Sequence, residues 1–173
     1  MKKIGSYLVY GLSFLLLMAA FALGTIAFTE LGFQLVFVPG YLFPFSSIYL
    51  LFILHELGHA FCGYLTGYRL VALGLGSFLL TKKAGKFRLS RTAILRNVGA
   101  QYIGLKEDES DQRMILMLFG GILVHLTLLI VSILFGVLTQ SWYFAGTWIC
   151  LNLSFILANA LPLGITDGAK MLE

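Results

Sequence analysis

Three long stretches of this chain carry no Asp, Glu, Lys or Arg, and they restrict its fold more than any other feature. They are residues 4–29, 31–55 and 114–166. In hydrocarbon a backbone must satisfy its own hydrogen bonds, so an apolar run of about 20 residues is expected to form a spanning helix. The mean hydropathy is +0.91. Only 12% of the residues are charged, against about 25% in a typical soluble domain. The sequence therefore indicates an integral membrane protein.

We predict four spanning helices and no separate soluble domain, so that residues 1–173 form a single membrane-embedded domain. The expected spans are residues 5–28, 44–66, 114–138 and 143–164. The first could instead be a signal peptide, because Lys2 and Lys3 precede its apolar run and Ala20-Phe21-Ala22 resembles a cleavage site. The apolar run continues past that site, which favours a retained span. The predicted fold class is an all-α polytopic membrane protein.

The basic residues predict the orientation of these helices. All twelve Lys and Arg fall in segments 1–4, 67–113 and 165–173, which lie on one side of the membrane if the four spans alternate. Positively charged segments remain on the cytoplasmic side, so we expect a cytoplasmic N-terminus in a cell membrane. The net charge of +4 then reflects topology and anionic lipid, and no nucleic-acid module is visible. The short chain favours a bacterial source.

The second predicted span contains the motif His55-Glu56-Leu57-Gly58-His59. On a helix, histidines at i and i+4 lie on one face, so both imidazoles can reach one metal ion. Glu56 is about 100° around the helix from His55, where it can take a proton from a water that the metal activates. Ionisable groups in hydrocarbon are costly and need a function or a partner. The motif therefore predicts a zinc hydrolase site inside the membrane.

A second motif supplies a candidate for the third zinc ligand. Two histidines leave a tetrahedral zinc one protein ligand short when the fourth position is kept for water. The fourth span runs in the same direction as the second and ends at Asp167, in the string N-x-x-P-x-x-x-x-D-G from 159 to 168. Pro162 is expected to interrupt the helix and let the backbone bend toward the metal. The alternative for Asp167 is a helix N-cap.

Together, the H-E-L-G-H motif and the N-x-x-P-x-x-x-x-D-G string about 100 residues later resemble the site-2 protease family of intramembrane zinc metalloproteases. The resemblance covers most of the chain from about Tyr49 to Gly168. It implies one zinc ion, catalysis by one glutamate and an asparagine that holds the substrate or the developing oxyanion. At the matching positions the metal ligands are His55, His59 and Asp167, the catalytic residue is Glu56 and the asparagine is Asn159.

Some positions depart from the family pattern or offer other ligands. Thr166 stands where the family often has leucine, and in span 3 the expected Gly-Pro pair and Asn are replaced by Gly120-Gly121 and His125. We expect His125 to make a hydrogen bond between helices, with substrate contact and metal ligation as alternatives. Cys62 shares the helical stripe of the two histidines, and packing is favoured over a thiolate ligand there.

The segment between spans 2 and 3 is predicted to contain a membrane-associated β-hairpin. Lys86-Phe87-Arg88-Leu89-Ser90 alternates with a period of two, and Ala84-Gly85 can form a turn, so the hairpin is expected over 77–90. The alternative is an amphipathic loop that anchors to lipid. An exposed strand edge would offer hydrogen bonds to a substrate drawn out of its helix, and the resemblance implies this use.

These observations predict a zinc endopeptidase that cleaves transmembrane segments of small membrane proteins or peptide precursors near the cytoplasmic face. The expected partners are transmembrane or signal-peptide-like substrates and the lipid bilayer, with no nucleic acid. Two alternatives stay open. A metal transporter is disfavoured because the spans carry one such cluster. A non-catalytic relative that binds membrane peptides is disfavoured because both motifs are intact.

Overall fold

The computed structural model describes residues 2–32, 37–75, 78–83, 85–91, 99–103, 111–161 and 167. Within them lie the helices α1 (Lys2–Glu30), α2 (Phe37–Leu65), α3 (Asp111–Thr139) and α4 (Trp142–Ala160), and the strands β1 (Arg69–Leu75), β2 (Phe78–Lys83), β3 (Lys86–Arg91) and β4 (Gly99–Ile103). The chain divides into two compact units. We call Met1–Phe52 with Ile122–Glu173 the helical unit, and Ile53–Gly121 the sheet unit.

Each of the four helices is long and apolar enough to cross a membrane. The candidate spans are Tyr7–Glu30, Pro39–Leu65, Gln112–Thr139 and Trp142–Ala160. Large apolar side chains remain exposed along them, for example Leu15, Phe61 and Leu134, as expected of helices that face lipid rather than water. The mostly helical architecture with four candidate spans, expected from the charge-free stretches, is thus confirmed by length and composition.

The helix α2 begins at Phe37, earlier than the expected start at residue 44, and it contains Pro44 in its interior. Proline removes one helical hydrogen bond and usually breaks a helix. Here its ring is fully buried against α1, where a Cβ added at Gly24 would lie 2.8 Å from the Pro44 Cγ. Likewise, a Cβ at Gly40 would lie 2.9 Å from the Thr25 Cα. Two glycines therefore let α1 and α2 approach closely. The Pro44 ring fills the space beside Gly24, and α2 continues through the proline.

The helix α4 ends at Ala160, before the expected limit at residue 164. Leu161 is extended, with φ −86° and ψ 142°. The residue before a proline is restricted to extended conformations, which explains this end in front of Pro162. Pro162 itself, Thr166 and Gly168 lie outside the described residues.

The core of the helical unit joins α1, α2 and α4. Ala20, Leu51 and Leu151 form its centre and are almost completely buried. The Ser154 hydroxyl donates a hydrogen bond of 3.1 Å to the backbone carbonyl of Ser13, which links α4 to α1. Polar contacts of this kind add to apolar packing when helices associate in lipid.

The strands form one antiparallel sheet with the order β3-β2-β1-β4. Strands β2 and β3 are the hairpin expected over 77–90, and Gly85 occupies its turn with φ +77°. The sheet is larger than the expected hairpin, because β1 and β4 extend it beyond β2. The sequence of β1, Arg-Leu-Val-Ala-Leu-Gly-Leu, is an apolar run without alternation, and periodicity does not distinguish such a run from a helix.

Replacing Gly24 by Ala should lower the stability of the helical unit. The added Cβ would meet the rigid Pro44 ring at 2.8 Å and the Gly40 carbonyl oxygen at 3.1 Å, and overpacking of this kind costs about 1–3 kcal/mol. Thermal unfolding of the purified protein in detergent measures the change. Gly11→Ala is the matched control, since a Cβ there has no neighbour within 4 Å. Equal melting temperatures for the two variants would contradict the close packing.

Candidate metal site

The two histidines of the H-E-L-G-H motif lie together in the sheet unit, on one face of α2. His55 and His59 are both buried, and their Nε2 atoms are 3.0 Å apart. The two rings are nearly perpendicular, at an interplanar angle of 89° and a centroid separation of 4.6 Å. The helical spacing of four residues has therefore placed two potential ligand nitrogens at a single point, as the sequence predicts.

A backbone carbonyl fixes the orientation of the second histidine. The Nδ1 of His59 lies 3.0 Å from the carbonyl oxygen of Met117 on α3. Because a carbonyl only accepts hydrogen bonds, Nδ1 is the donor, and the neutral ring keeps its lone pair on Nε2. Metal-binding histidines are typically held in this way, with the second ring nitrogen bonded to a carbonyl or a carboxylate.

The spacing of the two nitrogens fits a zinc ion. Two nitrogen ligands at about 2.0–2.1 Å from a tetrahedral zinc are about 3.3 Å apart, close to the observed 3.0 Å between His55 Nε2 and His59 Nε2. Zinc also prefers imidazole nitrogen among its ligands. The donor set and the orientation of His59 therefore fit the metal that the motif predicts.

Two adjacent glycines bring α3 against this face of α2. A Cβ at Gly120 would collide with the Gly58 carbonyl oxygen, and a Cβ at Gly121 would collide with the His55 ring. The same Gly121 Cβ would lie 2.7 Å from His59 Nε2. Only a residue without a side chain fits at either position. The glycine pair thus leaves room for both imidazoles while α3 comes near enough to bond His59.

The glutamate of the motif shares the buried side of α2. Glu56 is 8% exposed, whereas Leu57 and Phe61 are exposed at 43% and 62%. A carboxylate in a buried environment is costly unless a cation or hydrogen-bond donors compensate it. Glu56 is therefore a carboxyl group held inside the protein rather than a solvated surface charge.

Asp167 belongs to the helical unit and is buried, at 7% exposure. Like the two histidines, it offers one ligand atom that a metal ion could use. Burial of a single carboxylate at the end of an apolar chain segment is consistent with a ligand and less typical of a helix cap at a surface. Its assignment as the third ligand remains a proposal.

His125 makes a hydrogen bond between α3 and α4 in the helical unit, which is the role that the sequence favours. Its Nδ1 donates to the Asn152 Oδ1 at 2.9 Å, and both side chains are completely buried. The Asn152 amide in turn donates to the Trp148 carbonyl at 2.8 Å. The His125 ring also stacks on Phe155, at 4.6 Å and 23°. Sequence reasoning missed Asn152, although an amide inside an apolar span is itself a signal.

The remaining candidates have identifiable local contacts. The Asn159 amide donates to the Phe155 carbonyl at 3.0 Å, and its second amide hydrogen can serve another acceptor. Cys62 is half-buried and packs toward α3, since its Cβ would lie 2.9 Å from a Cβ at Gly120. That contact agrees with the packing role expected of Cys62.

A family model described as Peptidase family M50 matches residues 44–142, which is more than half of the 173 residues. The matched segment includes His55, Glu56 and His59 and ends before Asn159 and Asp167. No curated protein and no solved structure gives a match.

Replacing Gly121 by Ala should weaken metal binding at the histidine pair. The new Cβ displaces the His55 ring or pushes α3 and the Met117 carbonyl away from His59, and loss of such an orienting contact typically costs about 10–100-fold in metal affinity. Competition with a chromophoric zinc chelator measures that affinity. Gly11→Ala serves as the control with an open site. Unchanged affinity in Gly121→Ala would show that the pair does not need this close approach.

Proposed function

We propose a specific activity for this chain, which belongs to peptidase family M50: it is a zinc endopeptidase that cleaves transmembrane segments of small membrane proteins or peptide precursors near the cytoplasmic face. Membership of this family implies a membrane metalloprotease with a zinc cofactor and a protein substrate in the membrane. The substrate class, the position of cleavage and the residue roles below are our proposal. The observation that carries it is the pair of buried imidazoles whose Nε2 atoms face each other across 3.0 Å.

His55, His59 and Asp167 are the proposed zinc ligands. The two imidazoles come from one turn of α2, and the carboxylate comes from the D-G motif beyond α4. One carboxylate and two histidines form a recurrent donor set of catalytic zinc sites, which keep a position open for water. When bound, zinc supplies Lewis-acid activation of a water molecule and of the scissile carbonyl.

Glu56 is the proposed catalytic residue that moves the proton. It follows His55 directly and is buried on the same side of α2. As a carboxylate it accepts a proton from the attacking water, and it then delivers that proton to the leaving amine nitrogen. The second amide hydrogen of Asn159 is the proposed donor to the developing oxyanion.

The sheet provides the proposed surface for an unwound substrate. A transmembrane helix buries every peptide bond in its own hydrogen bonds, so a scissile segment must first become extended. Strand β3 stands at one edge of the sheet, and all six of its side chains are exposed. An extended segment added along β3 would replace the hydrogen bonds lost from the substrate helix. In the proposed orientation, with a cytoplasmic N-terminus, this sheet lies on the cytoplasmic side.

Zinc content tests the ligand set without a substrate. We expect about one zinc per chain in the detergent-purified protein, and a loss or sharp reduction in both His59→Ala and Asp167→Ala. Metal analysis after gel filtration measures it. His125→Ala controls for the loss of a buried histidine, because His125 already bonds Asn152. Glu30→Ala controls for the loss of a carboxylate, because Glu30 is exposed. Full zinc retention in Asp167→Ala would move the third ligand elsewhere, and zinc loss in His125→Ala or in an added Cys62→Ala variant would then identify it.

Glu56→Gln should retain zinc but lose at least about 100-fold in cleavage rate, because general acid-base catalysis typically contributes that much. The assay reconstitutes the full chain with single-span, signal-peptide-like test peptides and identifies products by mass spectrometry. Glu30→Gln is the matched control. Unimpaired cleavage by Glu56→Gln would remove Glu56 from the mechanism. A wild-type protein that binds zinc and the peptides but never cuts them would be a non-catalytic relative.

A further inference from the structure

A groove opens in the sheet unit where α2 ends and the sheet begins. Its volume is about 570 Å³, and it is lined by side chains of α2, β1, β2 and β3 together with the turn after α2. The polar and charged members of the lining are Tyr64, Tyr68, Arg69 and Lys82. Among the described residues, neither of the two histidines nor Glu56 lines this groove.

The described part of the lining is positively charged. Arg69 and Lys82 are both exposed, and no acidic side chain is among the described residues that line the groove. The Lys82 Nζ lies 5.4 Å from the centre of the Phe87 ring, its cross-strand neighbour, so the ammonium is held over an aromatic face. A guanidinium and an ammonium that share one groove form a binding site suited to a phosphate group.

An exposed apolar stripe on α2 leads to this groove. Leu57, Phe61 and Tyr64 follow one another at spacings of four and three residues and are exposed at 43%, 62% and 76%. That spacing places them along one face of the helix. All three lie within the candidate span Pro39–Leu65, and Arg69 follows shortly after its end. The stripe therefore covers membrane depth, and the basic groove lies where lipid headgroups begin.

We propose that the groove binds the phosphate of an anionic phospholipid whose acyl chain lies along Leu57, Phe61 and Tyr64. Arg69 and Lys82 contact the headgroup, and Phe87 packs beneath the Lys82 ammonium. A soluble phosphate or an acidic peptide would use the charges but not the apolar stripe, so the continuity of the two features favours a lipid. The bound lipid would fasten the sheet to the membrane surface at the end of α2.

Native mass spectrometry of the full chain in detergent tests this binding with phosphatidylglycerol and phosphatidylcholine of identical acyl chains. We expect bound phosphatidylglycerol on the wild type, with about ten- to thirtyfold weaker affinity in the double variant Arg69→Gln/Lys82→Gln. The matched control is Lys86→Gln/Arg88→Gln. It removes the same amount of charge from the same sheet, but these residues flank Phe87 in β3 and therefore project from the opposite face of the sheet.

The outcomes separate the lipid from other anions. Equal weakening in the control pair would show diffuse charge attraction, and equal binding of phosphatidylcholine would show that the charge is irrelevant; either result overturns the proposal. Release of the lipid by millimolar glycerol phosphate would identify a headgroup-only site and overturn the role of the stripe. Phe61→Ser should weaken lipid binding while α2 and the two basic residues are kept. An unchanged thermal unfolding temperature in every variant verifies that the protein is folded, whether or not it binds zinc or proves to be a protease.

Discussion

The hydrogen bond from His59 to the Met117 carbonyl is the contact on which the candidate site depends. It joins α2 to α3 inside the sheet unit and determines which nitrogen of the ring carries the proton. With Nδ1 occupied, the Nε2 lone pair faces the Nε2 of His55. A histidine whose tautomer and ring orientation are already fixed would lose little freedom on binding a metal ion, which suits the ligand role proposed for His59. The motif specifies that two histidines lie one helical turn apart, and this contact gives one of them, a proposed zinc ligand, a defined direction.

Glycine positions make such contacts possible. In lipid, helices gain little from hiding apolar surface, and they associate through close packing and hydrogen bonds. Gly24 and Gly40 let α1 and α2 approach around Pro44, and Gly120 and Gly121 let α3 approach the H-E-L-G-H turn. At all four places an added Cβ would lie within 3.0 Å of a neighbouring atom. Glycines thus make room both for the His55 and His59 rings in the sheet unit and for the Pro44 ring in the helical unit.

The predicted fold and site differ from the structure in informative ways. The β2–β3 hairpin was predictable because its residues alternate and Gly85 marks the turn. Strand β1 was not predictable, because its apolar run has no periodicity that distinguishes a strand from a helix. Its partner β4 is distant in the sequence, so local patterns do not reveal their pairing. The second span was expected to begin at residue 44, whereas α2 begins at Phe37, and Pro44 lies inside it with its ring packed against Gly24. His125 was recognised as a polar residue inside a span, but its partner Asn152 lies on another helix.

The sequence by itself determined the four candidate spans and the spacing of His55, Glu56 and His59, and it led to the proposed zinc site. These are local properties, since hydropathy acts over about 20 residues and the helical repeat over four. Only the tertiary structure decided that the Met117 carbonyl holds His59, that Gly121 must lack a side chain, and that Arg69 and Lys82 share one groove. Each of these depends on two segments meeting, and the residues of one segment do not specify which part of the other will face them.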